Sequence, residues 1–73
     1  MPPVPILPGT TVIKALGKIG YEAVRVSGSH HRLKHPDRRP LTVPVHSGDM
    51  RPGTLRSIIR DAGLTVEEFL ELL

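Results

Sequence analysis

An α+β fold, with helices packed on one face of a three-stranded antiparallel sheet, follows from three features of this 73-residue chain. Two segments with apolar residues three and four apart flank a central region of short, β-branched, alternating runs. The turns between those runs, Gly28-Ser29 and Pro36 to Pro40, are short enough to join strands only as hairpins. Each helical stripe must then be buried against a shared sheet face, which leaves the other face comparatively open.

The elements follow in order. Met1 to Gly9 holds four prolines and is predicted to be an extended arm, because proline fixes φ and biases the preceding residue away from helix. Thr10 or Thr11 then caps a first helix. Val12, Ala15, Leu16 and Ile19 form its buried face, and Lys14 and Lys18 stand outside it. Gly17 weakens this helix by ~1 kcal/mol relative to alanine, and Gly20 suits the left-handed residue that ends it.

Tyr21 to Ser27 reads as a first strand, with Val24 and Val26 on one side and Ala23 and Arg25 on the other. After the Gly28-Ser29 turn, His30 to His35 forms a second strand. Alternation sends His31, Leu33 and His35 to one face, and His30, Arg32 and Lys34 to the opposite one. Leu41 to Val45 is the third strand, and Pro44 places it at a sheet edge or at its own end.

A loop from His46 to Arg51 leads to Pro52-Gly53-Thr54, which opens a second helix striped by Leu55, Ile58, Ile59 and Ala62 and ended by Gly63. Thr65 and Glu68 have the spacing of a capping box for a short third helix, whose apolar side is Phe69, Leu70, Leu72 and Leu73. The whole chain, 1–73, is one domain without internal repeats.

Composition narrows the chemistry. There are no cysteines, so disulfides and thiolate metal sites are excluded. The apolar start lacks the basic residues of a signal peptide, and no run approaches the roughly 20 apolar residues of a membrane span. A soluble, complete, cytoplasmic chain is expected. The net charge of +3 is unevenly spread. Lys14, Lys18, Arg25, Arg32, Lys34, Arg38 and Arg39 dominate the middle, while Glu67, Glu68 and Glu71 mark the end. A polyanion is the natural partner for such a middle, and nucleic acid is the commonest one. With Tyr21 and Phe69 the sole aromatic residues, a base-stacking platform is not expected, leaving backbone and shape contacts.

Three of the four histidines, His30, His31 and His35, cluster among Arg32, Lys34, Arg38 and Arg39. A metal site from His31 and His35 is disfavoured, since four strand residues span about 13 Å at ~3.3 Å each. No serine sits in a nucleophile elbow, and carboxylate pairs are sparse around the basic centre. Two readings stay open. One is metal-free acid/base chemistry by a histidine on a phosphodiester held by cations, with the RNA 2′-hydroxyl as nucleophile. The other is a basic surface that binds phosphates, or docks an acidic partner, without chemistry.

The joint pattern favours the first. Val26-Ser27-Gly28-Ser29-His30-His31-Arg32-Leu33-Lys34-His35-Pro36-Asp37, then Leu41-Thr42-Val43-Pro44-Val45-His46, then Pro52-Gly53-Thr54-Leu55-Arg56 through Leu64, resembles the HicA toxin family of mRNA interferases. The resemblance runs from about Leu7 to Phe69. It implies a fold similar to the double-stranded RNA-binding domain and a metal-independent mRNA endonuclease that needs no cofactor. It also implies inhibition by a HicB-type antitoxin, the chain existing as a monomer or in a toxin–antitoxin hetero-oligomer. The family's catalytic histidine falls on His31, and Gly28, Ser29, His30, Arg32, Lys34, Arg38 and Arg39 are the expected RNA contacts. The alternative is a non-catalytic RNA-binding module of the same fold. Where family members carry a glycine after Pro-Asp, this chain has Arg38-Arg39-Pro40. Because His31 shares parity with Leu33, it reaches RNA either through a bulge after Ser29 or from the rim of the sheet.

Overall fold

The computed structural model describes residues 3–73. Met1 and Pro2 of the expected arm lie outside them. The order is α1 (Gly9–Gly17), β1 (Glu22–Ser27), β2 (His30–Lys34), β3 (Leu41–Pro44), α2 (Pro52–Asp61) and α3 (Val66–Leu70). The strands form an antiparallel meander in the order β1-β2-β3, as the short turns require. Both longer helices pack on β3. Val12, Leu16, Leu33, Val43, Leu55 and Phe69 are the large side chains sealed between helices and sheet.

Several local expectations need correction. α1 begins at Gly9 after Pro8, with no side-chain cap, so Thr10 and Thr11 sit inside its first turn. The reason is packing. A Cβ on Gly9 would lie 2.6 Å from the Pro44 carbonyl oxygen and 3.0 Å from Val45 Cγ2, so this glycine lets the helix start against the end of β3. The arm preceding it is docked: Val4 is buried, Pro8 bridges Asp49 and the Met50 amide donates to the Leu7 carbonyl at 2.7 Å. β1 does not alternate regularly either. Its pairing with β2 slips between Ala23 and Arg25, so Val24 is the extra residue of a bulge. Ala23 and Val26 therefore share the helix face, opposite Leu33 and His31, while Arg25 stands beside Arg32 on the open face. Tyr21, read as a strand residue, precedes β1 and is buried; His35 follows β2, and Val45 follows β3.

The helix ends agree with the glycine signals. Gly20 has φ +104, and the Tyr21 amide reaches back to the Leu16 carbonyl. Gly63 ends α2 with the equivalent pair of bonds. At α3 both halves of the capping box form: Glu68 N–H donates to Thr65 Oγ1 at 3.1 Å, and Thr65 N–H to Glu68 Oε1 at 2.8 Å.

The end of the sheet at the Pro36–Pro40 turn is tied down by side chains. His35 Nδ1 accepts the amides of Asp37 and Arg38, each at 3.0 Å. Its Nε2 must then carry the hydrogen, which it donates to the Ile19 carbonyl at 2.7 Å. Tyr21 stacks at a tilt on the same ring, 4.9 Å between centroids, and donates its hydroxyl to the Arg39 carbonyl at 2.8 Å. Arg38 Nη1 donates to Ala62 O at 2.7 Å, closing the C-terminus of α2. Arg39 and Asp61 approach to 4.0 Å on the surface.

Two outcomes are expected from this clamp. Substituting His35→Ala removes three hydrogen bonds worth roughly 0.5–1.5 kcal/mol each, and should lower stability by ~2 kcal/mol in urea unfolding. The Tyr21 phenol is pushed above its ordinary value by burial, an effect partly offset by Arg38 and reinforced by Asp61. A raised pKa means that its contribution is complete below pH about 10 and is lost as pH rises through the raised value. As Tyr21 is the single tyrosine, its phenolate absorbance reports this directly, and the midpoint should lie above that of free tyrosine.

Candidate active site at the rim of the sheet

β2 is regular where the histidines sit. His30 pairs with Pro44, His31 with Val43, Arg32 with Thr42 and Leu33 with Leu41. The bulge lies in β1, so His31 keeps the parity of Leu33 and faces the helices. It is nonetheless only half-buried. On one side stands the sealed Val43; on the other is Val26 of the edge strand, 58% exposed. β1 is exposed along its whole length, so the helical layer stops short of it and leaves His31 at the boundary. No buried side-chain nitrogen or oxygen among the described residues lacks a hydrogen-bond partner. The His31 ring has no partner among them, so its nitrogens open to solvent.

Backbone electrostatics favour anions at this end. α1 starts against Pro44 and Val45, the Val45 amide donates to Ser29 O at 2.6 Å, and α2 starts just after Met50, which bonds to Leu7. Both helices thus begin at the end that holds the Gly28-Ser29 turn and His31. Neither has a capping side chain, and neither has an acidic residue in its first turn. Their positive dipole ends lie there, with Asp49 bridged to Pro8 at the start of α1.

The remaining expected site residues divide into two groups. His30, Arg32 and Lys34 are exposed on the open face, and Arg32 Nη1 donates to Thr42 Oγ1 at 3.0 Å. Gly28 and Ser29 form the tight turn beside His30 and His31. Arg38 and Arg39 lie at the opposite end of β2, beyond His35 and so more than ~13 Å along the strand from His31, engaged with Ala62 and Asp61. His46 is exposed in the loop after β3. No three His, Asp or Glu side chains among the described residues are grouped to hold a metal ion. A groove of about 610 Å³ between α2 and α3 is lined by Ile59, Leu64 and Val66 and borders no histidine.

Two neighbours of the site depend on the bulge in β1: alternation sets Arg25 on the face of Ala23 and Val26 on that of Val24, whereas the bulge puts Val26 beside His31 and Arg25 beside Arg32. A bulge adds one residue without changing composition, so alternation alone carried no signal of it.

A family model described as the HicA toxin of bacterial toxin-antitoxin matches residues 9–64, from the first residue of α1 past the turn that ends α2. A chain from a solved toxin-antitoxin complex from Streptococcus pneumoniae has a TM-score of 0.70 and 29% identity, covering 80% of this chain and 98% of that one. No curated protein matches the sequence. With the model spanning both long helices and the entire sheet, the chain belongs to the HicA toxin family.

Proposed function

We propose that this chain is the toxin of a type II toxin–antitoxin pair and a metal-independent mRNA endonuclease, with His31 as its general acid/base. The observation that carries the reading is the His31 ring: half-buried by Val43, unpartnered, and open to solvent where both long helices begin. Family membership supports the same reading.

The reaction needs few parts. The RNA 2′-hydroxyl attacks the adjacent phosphorus, a P–O2′ bond forms and the P–O5′ bond breaks. The products are a 2′,3′-cyclic phosphate and a 5′-hydroxyl. The His31 imidazole takes the 2′ proton or protonates the leaving oxygen, and water completes the transfer. The Gly28-Ser29 turn and helix N-termini favour the phosphate at His31, while His30, Arg32 and Lys34 bind neighbouring phosphates. Arg38 and Arg39, already engaged with α2, add positive charge at the distal end.

A HicB-type antitoxin would inhibit by covering His31. Val26 offers such a partner an exposed apolar contact at the same rim, and the basic surroundings favour acidic groups on it. A mutation there should separate the partner from the chemistry. Val26→Glu is expected to release the antitoxin, read by co-purification, without unfolding the exposed strand.

For the chemistry, His31→Ala should reduce cleavage of a long transcript by roughly 10²–10⁴-fold with an unchanged melting temperature. His30→Ala should lose far less, and the reverse ranking would move the acid/base to His30. Cleavage by the unmutated chain should persist in EDTA; dependence on added Mg²⁺ would refute the metal-free reaction. Binding without cleavage under every condition would instead favour an RNA-binding module.

A further inference from the structure

The open face of the sheet carries a row of cations on the side of β2 away from His31. Across β1 and β2 the register sets Glu22 against Lys34, Arg25 against Arg32 and Ser27 against His30. Like charges directly opposite one another on a sheet are destabilising, yet Arg25 stands against Arg32 with no carboxylate between them. Arg32 is held toward Thr42, so it does not fold away. Arg25 and Lys34 are exposed and have no hydrogen-bond or ion-pair partner among the described residues. Such a row is stabilised by an anion that lies across it.

His31 is on the other face. The row and His31 are back to back across β2, and a ligand passes from one to the other around the sheet's edge, at the Gly28-Ser29 turn and β1. An A-form duplex is too stiff and broad to turn that edge, whereas an unpaired chain has free backbone torsions. We propose that Arg25 and Arg32, with Lys34, form a phosphate-binding row for the flank of a single-stranded RNA whose reacting phosphodiester lies at His31, the chain crossing the edge beside His30. This rests on the nuclease reading above and specifies its substrate: RNA that is unpaired at the cut and on one side of it. The grip is on backbone alone, because Tyr21 and Phe69 are both buried and present no ring to a base.

The test uses the full chain with His31→Ala, so that RNA stays intact. Fluorescence anisotropy would follow a labelled unstructured oligoribonucleotide and the same strand annealed to its complement, over a range of salt. The single strand should bind more tightly. Arg25→Ala should weaken it about tenfold and reduce the slope of log affinity against log salt by ~0.7, one phosphate contact, with Arg25→Lys restoring most of the loss. Unaltered single-strand affinity in Arg25→Ala, at an unchanged melting temperature, would overturn the proposal. Equal or tighter duplex binding with the same dependence on Arg25 would overturn it too, as would an Arg25 effect confined to binding of an acidic antitoxin. If the chain with His31 intact binds single strands through Arg25 yet never cuts them, the nuclease reading fails and the open-face row stands.

Discussion

The burial of Leu33 in the middle of the central strand determines what every side chain of that strand can reach. Leu33 is sealed between Ala23 and Leu41, and a strand that buries one residue commits its neighbours by a period of two. His31 must therefore turn toward the helices, and His30, Arg32 and Lys34 away from them. No slip of one residue is tolerable, because it would put Leu33 in water and charged Arg32 in the core. The separation of the His31 imidazole from the cations of the open face is thus a consequence of core packing.

What rescues His31 from burial is the incompleteness of the helical layer. Two helices of 9 and 10 residues cover β3 and β2 and leave β1 bare. The same shortage of cover explains the exposed valines of β1. The bulge at Val24 turns that edge and interrupts its ladder, a usual way of discouraging uncontrolled strand pairing.

The two ends of the sheet are built differently. At the Pro36–Pro40 turn, His35, Tyr21 and Arg38 are consumed in hydrogen bonds that fasten the turn to the C-termini of α1 and α2. At the Gly28-Ser29 end, His30 and His31 have no such duties and the helix N-termini lack caps. A small domain has little stability to spare, and here the side-chain hydrogen bonds that tie a sheet turn to the helices are at the end away from the candidate site.

Element order, the stripes of α1 and α2, the glycine-terminated helices, the capping box at Thr65 and the parity of β2 were all legible in the sequence, because each depends on near neighbours in the chain. So was the candidacy of His31, through the joint pattern around Gly28-Ser29-His30-His31. The start of α1, the bulge at Val24, the pairing of Arg25 with Arg32 and the use of His35 as a structural clamp were not. Each depends on a contact between residues far apart: Gly9 with Pro44, β1 with β2, Ile19 with His35. Local residue pattern decided which way His31 points; only the tertiary structure, through the reach of its helices, decided that a residue pointing inward would still meet solvent.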